Sequence, residues 1–228
     1  MGVISDERTA RPFLADFFRN VDFTGRRVLD IGGGEGIYSF YAAVMGAREV
    51  VCLEPEAAGS TSGVTQLFER IGEAVPGQPV RLDARTLEQY HDAEGFDIIL
   101  MNASVNHIDE EACIHLLEDP KARETFRKVF LHLGTLARPG GQLIVADCTR
   151  HNFFALLHLK NPLNPNIEWH KHQAPEVWAA LLQEVGFRNP QVAWLSLYRF
   201  GKVVQALLAN RAAAYFLKSF FRLDLQKA

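Results

Sequence analysis

The 228-residue sequence predicts an α/β fold in which a mostly parallel sheet is covered by helices on both faces. Patterns typical of strands alternate with patterns typical of helices along the chain. A glycine-rich turn, Gly32 to Gly36, separates a strand-like run from an apolar pattern with helical spacing. Because ligands of such sheets bind at the carboxyl ends of the strands, this turn is the first candidate site.

The first half of the chain supplies the strongest element patterns. Phe13, Leu14, Phe17 and Phe18 have the spacing of an amphipathic helix, and the apolar run at 96–101 is typical of a buried strand. In order, the predicted elements are helix 6–20, strand 26–31, helix 36–45, strand 49–53, helix 60–72, strand 79–82 and strand 96–101. Strands separated by helices favour parallel pairing.

The second half continues the alternation with longer helical stretches. In order, the predicted elements are helical material over 109–137, a turn at 139–141, strand 142–146, helix 175–185, strand 190–199, a helical piece at 200–218 and a terminal strand at 220–225. No internal repeat is visible, so residues 1–228 are expected to form one domain, with 1–24 as a helical cap.

The composition and the net charge of the chain exclude some classes of function. Hydrophobic residues make up 48% of the chain, enough for a sizeable core, and the formal net charge of −3 does not suggest nucleic-acid binding. Cys52, Cys113 and Cys148 are widely spaced, which indicates reduced core thiols in a cytoplasmic protein. The first ten residues lack the pattern of a signal peptide, and no apolar run is long enough to span a membrane.

The residues around the glycine turn distinguish between possible ligands. The dinucleotide fingerprint needs a third glycine where Ile37 stands, and the phosphate loop needs a lysine that does not follow this turn. Asp30 precedes the glycines, and its carboxylate would repel a pyrophosphate but suit a cationic ligand. The turn therefore favours a ligand that carries positive charge.

The pattern D-x-G-x-G-x-G, from Asp30 to Gly36, resembles motif I of the class I S-adenosylmethionine-dependent methyltransferases. The resemblance covers about residues 26–226, and Ala137 to Asp147 is similar to the fifth-strand motif of that family. It implies a Rossmann-like sheet of seven strands with the last one antiparallel. It also implies S-adenosyl-L-methionine as cofactor, S-adenosyl-L-homocysteine as product and the general activity EC 2.1.1.-.

Candidate cofactor-binding residues follow from the turn and from the resemblance. Glu54 lies 22 positions after Gly32, where an acid in nucleotide sites accepts hydrogen bonds from ribose hydroxyls. By the resemblance, Asp83 and Ala84 would hold the adenine, Asn102 would touch the methionine half, and Tyr38 would cover the cofactor or join the core. The predicted set is Asp30, Gly32, Gly33, Gly34, Tyr38, Glu54, Asp83, Ala84 and Asn102.

His107 is the candidate catalytic residue. It lies five residues beyond the fourth strand, and histidine is the side chain suited to act as a base near pH 7. Many small-molecule methyltransferases of the resembled family carry a histidine near this point. A hydroxyl acceptor would need such a base, and the alternative role of His107 is to stabilise the helix that Asp109 caps.

An insertion over 149–174 is the candidate acceptor site, because long ordered connections are often functional. Its candidate substrate-binding residues are Arg150, His151, Trp169, His170 and His172. A metal site is an alternative interpretation of this insertion, because it contains Glu168, His170 and His172 and follows Asp147 at the end of the fifth strand. We expect no metal, because Cys148 stands where metal-dependent relatives need an acid.

The tail and the choice of acceptor leave alternatives open. The basic, apolar segment 202–217 could lie on a membrane, but packing on the sheet edge or on a second subunit is favoured, so a homodimer is possible. We expect a small-molecule acceptor methylated at oxygen. The alternatives are C- or N-methylation of a small or lipid-linked metabolite, a non-catalytic S-adenosylmethionine-binding subunit, and a nicotinamide oxidoreductase.

Overall fold

The computed structural model describes residues 7–55, 63–195 and 202–228. Within these residues, seven strands form one sheet in the order β3-β2-β1-β4-β5-β7-β6. The strands are β1 (Arg27–Ile31), β2 (Glu49–Leu53), β3 (Val80–Asp83), β4 (Phe96–Asn102), β5 (Ala137–Cys148), β6 (Phe187–Trp194) and β7 (Phe220–Lys227). β7 runs antiparallel to both of its neighbours, whereas the pairs among β1 to β5 are parallel. The predicted sheet is confirmed.

Helices cover both faces of the sheet, as the sequence predicts. The described helices are α1 (Glu7–Phe17), α2 (Ile37–Val44), α3 (Val64–Ala74), α4 (Glu110–His115), α5 (Pro120–Leu136), α6 (Phe153–Leu156), α7 (Pro175–Glu184), α8 (Lys202–Leu208) and α9 (Arg211–Phe216). Phe126, Phe130 and Trp178 of α5 and α7 pack on one face. Phe13 and Phe17 of α1 and Ala42 of α2 pack on the other.

Three predicted elements are organised differently in the structure, and β6 (Phe187–Trp194) begins before the predicted start at 190. The helical stretch 109–137 is two helices, because Asp119 caps a new helix at Pro120, whose ring fits a first turn. The 139–141 turn lies inside β5, which accommodates it as a register irregularity opposite β4. The tail is also two helices, since the Asn210 side chain caps α9.

The order of the strands fixes where a ligand can bind. The chain runs outward from β1 to β3 and then returns to place β4 on the other side of β1. This reversal opens a crevice at the carboxyl ends of β1 and β4, which is where open α/β sheets bind their ligands. The glycine turn follows β1 and enters this crevice.

The structure also tests the prediction that the cysteines are core thiols. All three cysteines are free and buried, as expected, and burial raises the pKa of each thiol.

In the part of the chain that the structure describes, no helix has both the length and the apolar character needed to cross a membrane. Residues 1–6, 56–62 and 196–201, which include the start of the predicted helix 60–72 and the end of the predicted strand 190–199, lie outside the described residues.

Candidate active site

The glycine turn is built for close packing at the crevice. Gly32, Gly34 and Gly36 have φ values of +66°, +55° and +81°, which side chains rarely adopt. A Cβ at Gly32 would lie 2.5 Å from Cβ of Ser104, whose hydroxyl donates to the Ile31 carbonyl at 2.7 Å. A Cβ at Gly36 would lie 2.5 Å from the Phe68 ring. At Gly34, in contrast, a Cβ would meet nothing within 4 Å, so this glycine leaves open space beside the turn.

Asp30 lies directly beneath the turn. Its side chain is buried, and Oδ2 accepts a hydrogen bond from the Ser39 hydroxyl at 2.7 Å. Oδ1 is buried without a hydrogen-bond partner among the described residues. Burial raises the pKa of Asp30 from its ordinary value of 3.8 to about 6, and the charge of Glu54 adds to the shift. A cationic group of a ligand would satisfy this carboxylate.

Glu54 lies beside the turn from the adjoining strand. Its Oε2 accepts a hydrogen bond from the Gly34 amide at 2.9 Å, so the carboxylate is fixed at the turn. Its own amide donates to the Asp83 carbonyl at 2.9 Å, which joins the ends of β2 and β3. A carboxylate has about four acceptor positions, so Glu54 can hold the turn and also accept from ligand hydroxyls.

Asp83 is engaged by two arginines. Its oxygens accept from the amide and the guanidinium of Arg85 and from the guanidinium of Arg81, over 2.6–3.1 Å. The Arg85 hydrogen bonds hold the pKa of Asp83 far below its usual range. These four bonds fill the usual acceptor capacity of a carboxylate, so an adenine amino group would have to displace an arginine. Ala84 is exposed next to it.

Tyr38 and Asn102 meet above the end of β4. The Tyr38 hydroxyl and the Asn102 side chain are hydrogen-bonded, and burial raises the pKa of Tyr38 above its ordinary 10.0. The Tyr38 ring packs against Phe17 at 5.1 Å and Phe18 at 5.7 Å between ring centroids. Oδ1 of Asn102 is buried and has no hydrogen-bond partner within the described residues. Tyr38 therefore belongs to the aromatic core and also reaches the crevice.

His107 lies on the rim of this edge of the sheet, in a short 3-10 turn after β4. Its Nδ1 is 2.7 Å from Oε1 of Glu110, and its side chain is 52% exposed. Glu110 also pairs with Lys171 at 2.8 Å, and Lys171 pairs with Glu168 at 2.8 Å. The Lys171 and His107 hydrogen bonds lower the pKa of Glu110. This chain of charges ties the 149–174 insertion to the helix that follows His107.

The 149–174 insertion borders a cavity of about 730 Å³. Four of the five predicted substrate-binding residues line it, namely Arg150, His151, Trp169 and His170. The Arg150 guanidinium donates to the backbone carbonyls of His172 at 2.7 Å and His170 at 2.9 Å. Arg150 thus holds the insertion in place, and an anionic substrate would compete with these carbonyls.

His172 pairs with a buried acid at the end of β5. It does not line the cavity, and its Nδ1 is 3.0 Å from Oδ1 of buried Asp147 at the end of β5. Oδ2 of Asp147 is buried and unpartnered among the described residues. Sequence spacing does not reveal this pair, because 25 residues separate its members. In the described residues, no group of three or more His, Cys, Asp or Glu is arranged to hold a metal ion.

Comparison with known proteins identifies the family. Residues 5–192 match a family model described as a methyltransferase domain, which covers most of the chain. The chain belongs to this family. It is a class I, S-adenosylmethionine-dependent methyltransferase, as the motif from Asp30 to Gly36 predicted. A search of curated proteins finds no match.

Solved structures share the fold of this methyltransferase at low sequence identity. A protein assigned as an S-adenosylmethionine dependent methyltransferase from Listeria monocytogenes has a TM-score of 0.66 and 12% identity, covering 98% of this chain and 100% of that one. The 1,6-didemethyltoxoflavin-N1-methyltransferase of Burkholderia thailandensis, solved with S-adenosylhomocysteine, has a TM-score of 0.58 and 16% identity over 96% and 78%. The N-methyltransferase NodS of Bradyrhizobium japonicum has a TM-score of 0.58 and 13% identity over 98% and 99%.

Proposed function

We propose that this methyltransferase transfers a methyl group to a small-molecule acceptor in the cytoplasm, at a hydroxyl oxygen. The cofactor side of the proposal rests on the Asp30 carboxylate, which is buried beneath Gly33 and has one oxygen without a hydrogen-bond partner among the described residues. The next residue of the turn, Gly34, has open space beside it. A buried charge without a cation is costly, so this carboxylate favours a ligand with a positively charged group. The acceptor side is supported by His107 and by the cavity beside the insertion.

Each predicted cofactor residue has a role in this proposal. Asp30 would pair with the ammonium group of the cofactor, and Glu54 would accept from the ribose hydroxyls. Gly32, Gly33 and Gly34 would let the cofactor approach the backbone. Asn102 and Tyr38 would border the methionine half. Ala84 would leave space for the adenine ring, and Asp83 would contact it once an arginine moves.

The chain itself mainly supplies alignment. S-adenosylmethionine, when bound, brings a methyl group on a sulfonium, which is already an excellent leaving group. What remains for the protein is to hold donor and acceptor in line and to exclude water, and such positioning is worth about 7–11 kcal/mol of barrier. In this proposal the crevice holds the donor, and the cavity of Arg150, His151, Trp169 and His170 holds the acceptor. His172 would support that wall through Asp147.

His107 would take the proton from the acceptor hydroxyl. Because Nδ1 is held by Glu110, the ring is oriented and Nε2 is left to act as the base. This is the arrangement by which a carboxylate fixes the tautomer of a catalytic histidine. A base of this kind contributes about 10²–10⁴-fold to the rate.

The test is methyl transfer from tritiated S-adenosylmethionine to a panel of small metabolites. With the acceptor that this screen identifies, His107→Ala should lower kcat by about 10²–10⁴-fold because the base is lost. His115→Ala is the matched control, since His115 is also exposed and pairs with Glu111 in the same segment. Near-normal turnover by His107→Ala would rule out the base and leave the methyltransferase intact.

N-methylation is the second candidate. Two of the similar structures are named as N-methyltransferases, and an amine acceptor is nucleophilic without a base. In that case His107→Ala keeps its turnover and the labelled product carries the methyl on nitrogen. If no compound accepts the label although S-adenosylhomocysteine binds, the chain acts as a non-catalytic subunit instead.

A further inference from the structure

The cavity beside the insertion contains an arginine without an acidic partner. Among the arginine side chains that the structure describes, four are not exposed, and three of these pair with a carboxylate: Arg27 with Asp92, Arg138 with Asp97 and Arg222 with Asp224. The fourth is Arg150, which lines the cavity and forms no ion pair with a described carboxylate. A half-buried cation of this kind favours a ligand that supplies the anion.

Arg150 bonds to backbone carbonyls instead. Its Nε donates to the His172 carbonyl at 2.7 Å, and its Nη2 donates to the carbonyls of His170 at 2.9 Å and Ile114 at 3.4 Å. Nη1 has no acceptor within the described residues. The guanidinium is therefore held in one orientation, and the two N–H groups of Nη1 are left for a ligand.

The acids closest to this part of the insertion are engaged by other groups. Glu168 also lines the cavity, but its side chain is 58% exposed and its carboxylate pairs with Lys171 at 2.8 Å. Water and the Lys171 ammonium group therefore screen the charge of Glu168. Asp147 is buried and pairs with His172 at 3.0 Å. Neither carboxylate is bonded to Arg150.

The remaining lining combines apolar groups with hydrogen-bond donors. Its large apolar and aromatic side chains are Leu156, Leu159, Ile167, Trp169 and Tyr215. His151, His158 and His170 add ring N–H groups. One arginine in such a lining matches a single negative charge on an apolar body, whereas a phosphate monoester would bring nearly two negative charges. A carboxylate therefore fits better than a phosphate.

We propose that this cavity binds an apolar hydroxy acid, with its carboxylate on Nη1 of Arg150. An anion at Nη1 leaves the carbonyl bonds of the guanidinium in place, whereas an anion that displaced a carbonyl would loosen the insertion. The assignment of this acid as the methyl acceptor rests on the proposed function. Arg150 is then the residue that determines the specificity for an acid over its neutral analogues.

The first test is binding of matched acids and amides to the full chain saturated with S-adenosylhomocysteine. The probes are para-hydroxyphenylacetate, para-hydroxycinnamate and ω-hydroxylaurate, each beside its primary amide, which keeps the hydroxyl and the size but has no charge. In calorimetric titrations at neutral pH, an acid should bind at least about tenfold more tightly than its amide, because a charged hydrogen bond is replaced by a neutral one. Equal binding of acids and amides, or no binding by any of the acids at millimolar concentration, overturns the proposal.

Variants of Arg150 separate recognition of the acid from support of the insertion. Arg150→Gln should lower the ratio of acid affinity to amide affinity about tenfold, whereas Arg150→Lys, which keeps the charge, should retain part of the preference. Arg211→Gln is the matched control and should keep the wild-type ratio, because the exposed Arg211 pairs with Glu176 outside the cavity lining. An Arg150→Gln variant that weakens acid and amide equally has lost only a support of the insertion, and this result overturns the proposal.

A crystal structure of the wild-type chain with S-adenosylhomocysteine and the tightest acid decides if Arg150→Gln does not fold in a thermal melt. The carboxylate should lie within hydrogen-bonding distance of Nη1, and a carboxylate elsewhere overturns the proposal. Methyl transfer to the same probe pairs separates this inference from the proposed function. Equal label on acid and amide upholds hydroxyl methylation and overturns the acid preference. Acids that bind at Nη1 but take no label uphold the carboxylate site and contradict the proposed function instead.

Discussion

At the residue scale, Asp30 is the most informative side chain of the crevice. It is fully buried and lacks a cationic partner within the described residues, which is a costly position for a carboxylate. Proteins retain such groups where a ligand supplies the missing charge. Burial raises the pKa of Asp30, and in the proposed function a cation bound beside the turn would partner the free oxygen and lower that pKa again.

The Asp30 interpretation predicts a pH-dependent affinity for S-adenosylhomocysteine. Because the carboxyl has a pKa of about 6 and must be ionised to pair with an ammonium group, affinity should fall about tenfold between pH 7 and pH 5. Asp30→Asn should bind about 10–100-fold more weakly at pH 7 and lose this pH dependence. Calorimetric titration measures both effects, and Glu88→Gln, an exposed acid after β3, is the control. An unchanged pH profile in Asp30→Asn would contradict the role.

Single residues also show how much of the site could be predicted from the sequence. Asp30 and Glu54 lie at the glycine turn as predicted, since strand ends determine their positions. The arginines on Asp83 were missed, although Arg81 and Arg85 lie two residues away on either side and strand periodicity places Arg81 on its face. The Asp147–His172 pair could not be predicted, because only the folded insertion brings these residues together.

At the element scale, the glycines of the turn differ in their surroundings, because one is packed against the core and another has open space beside it. Gly36 has a positive φ and is crowded by Phe68, whereas Gly34 has a positive φ and open space. A methyl group at Gly36 therefore disturbs the core, while one at Gly34 occupies the space beside the turn. The two positions can be distinguished experimentally.

The glycine variants should have different effects on stability and binding. Gly36→Ala should lower the free energy of unfolding by about 2–4 kcal/mol, from the φ penalty and the Phe68 clash together. Gly34→Ala should cost only about 1 kcal/mol but weaken S-adenosylhomocysteine binding at least about tenfold. Gly77→Ala, with φ +78° and open space, controls for the φ penalty alone. Urea unfolding and calorimetry measure these values, and wild-type affinity in Gly34→Ala would argue against a ligand at the turn.

Element boundaries were predictable where one local signal dominated. β2 has the predicted limits, 49–53, because the run is apolar and bounded on both sides. The split of 109–137 was missed although Asp119-Pro120 is a helix-start signal, because the apolar spacing continues across it. The extension of β5 through Gly140 depends on pairing with β4, which the sequence alone does not reveal.

At the scale of the whole molecule, an ion cluster anchors the sheet at the end opposite the site. The Arg27 guanidinium is buried and bonds to Asp92, Glu49 and the Gly95 carbonyl, 4.7 Å above the Phe96 ring. These bonds raise the pKa of Arg27. The cluster ties β1, β2 and the loop before β4 together below the crevice.

Removal of the Arg27 charge should therefore destabilise the whole domain. Arg27→Met should lower the free energy of unfolding by about 3–5 kcal/mol, because it leaves carboxylates without their buried partner. Arg127→Met removes an exposed pair with Glu124 and should cost at most about 1 kcal/mol. Urea unfolding followed by circular dichroism compares them. Equal losses in the two variants would show that the buried cluster adds nothing.

The stability of the protein at acid pH should depend on two carboxyl groups whose pKa values are shifted in opposite directions. The Arg27 hydrogen bond lowers the pKa of Asp92 from 3.8 to about 2, so its stabilisation is present above about pH 4 and is lost as pH falls toward 2. Asp30 has a raised pKa and is protonated first in the folded state, so its desolvation cost is relieved as pH falls from 6 to 4. Asp92→Asn should reduce the loss of stability between pH 4 and pH 2. A loss as steep as that of the wild type, measured by urea unfolding, would contradict this account.

The most direct test of the account is a crystal structure of the chain with S-adenosylhomocysteine. We expect the nucleoside to lie along the glycine turn, with its ribose hydroxyls hydrogen-bonded to Glu54 and its ammonium group paired with Asp30. Crystals grown without S-adenosylhomocysteine and soaked with NAD should show no ligand at the turn. Density for S-adenosylhomocysteine away from Asp30 and Glu54, or for NAD at the turn, would contradict the central claim.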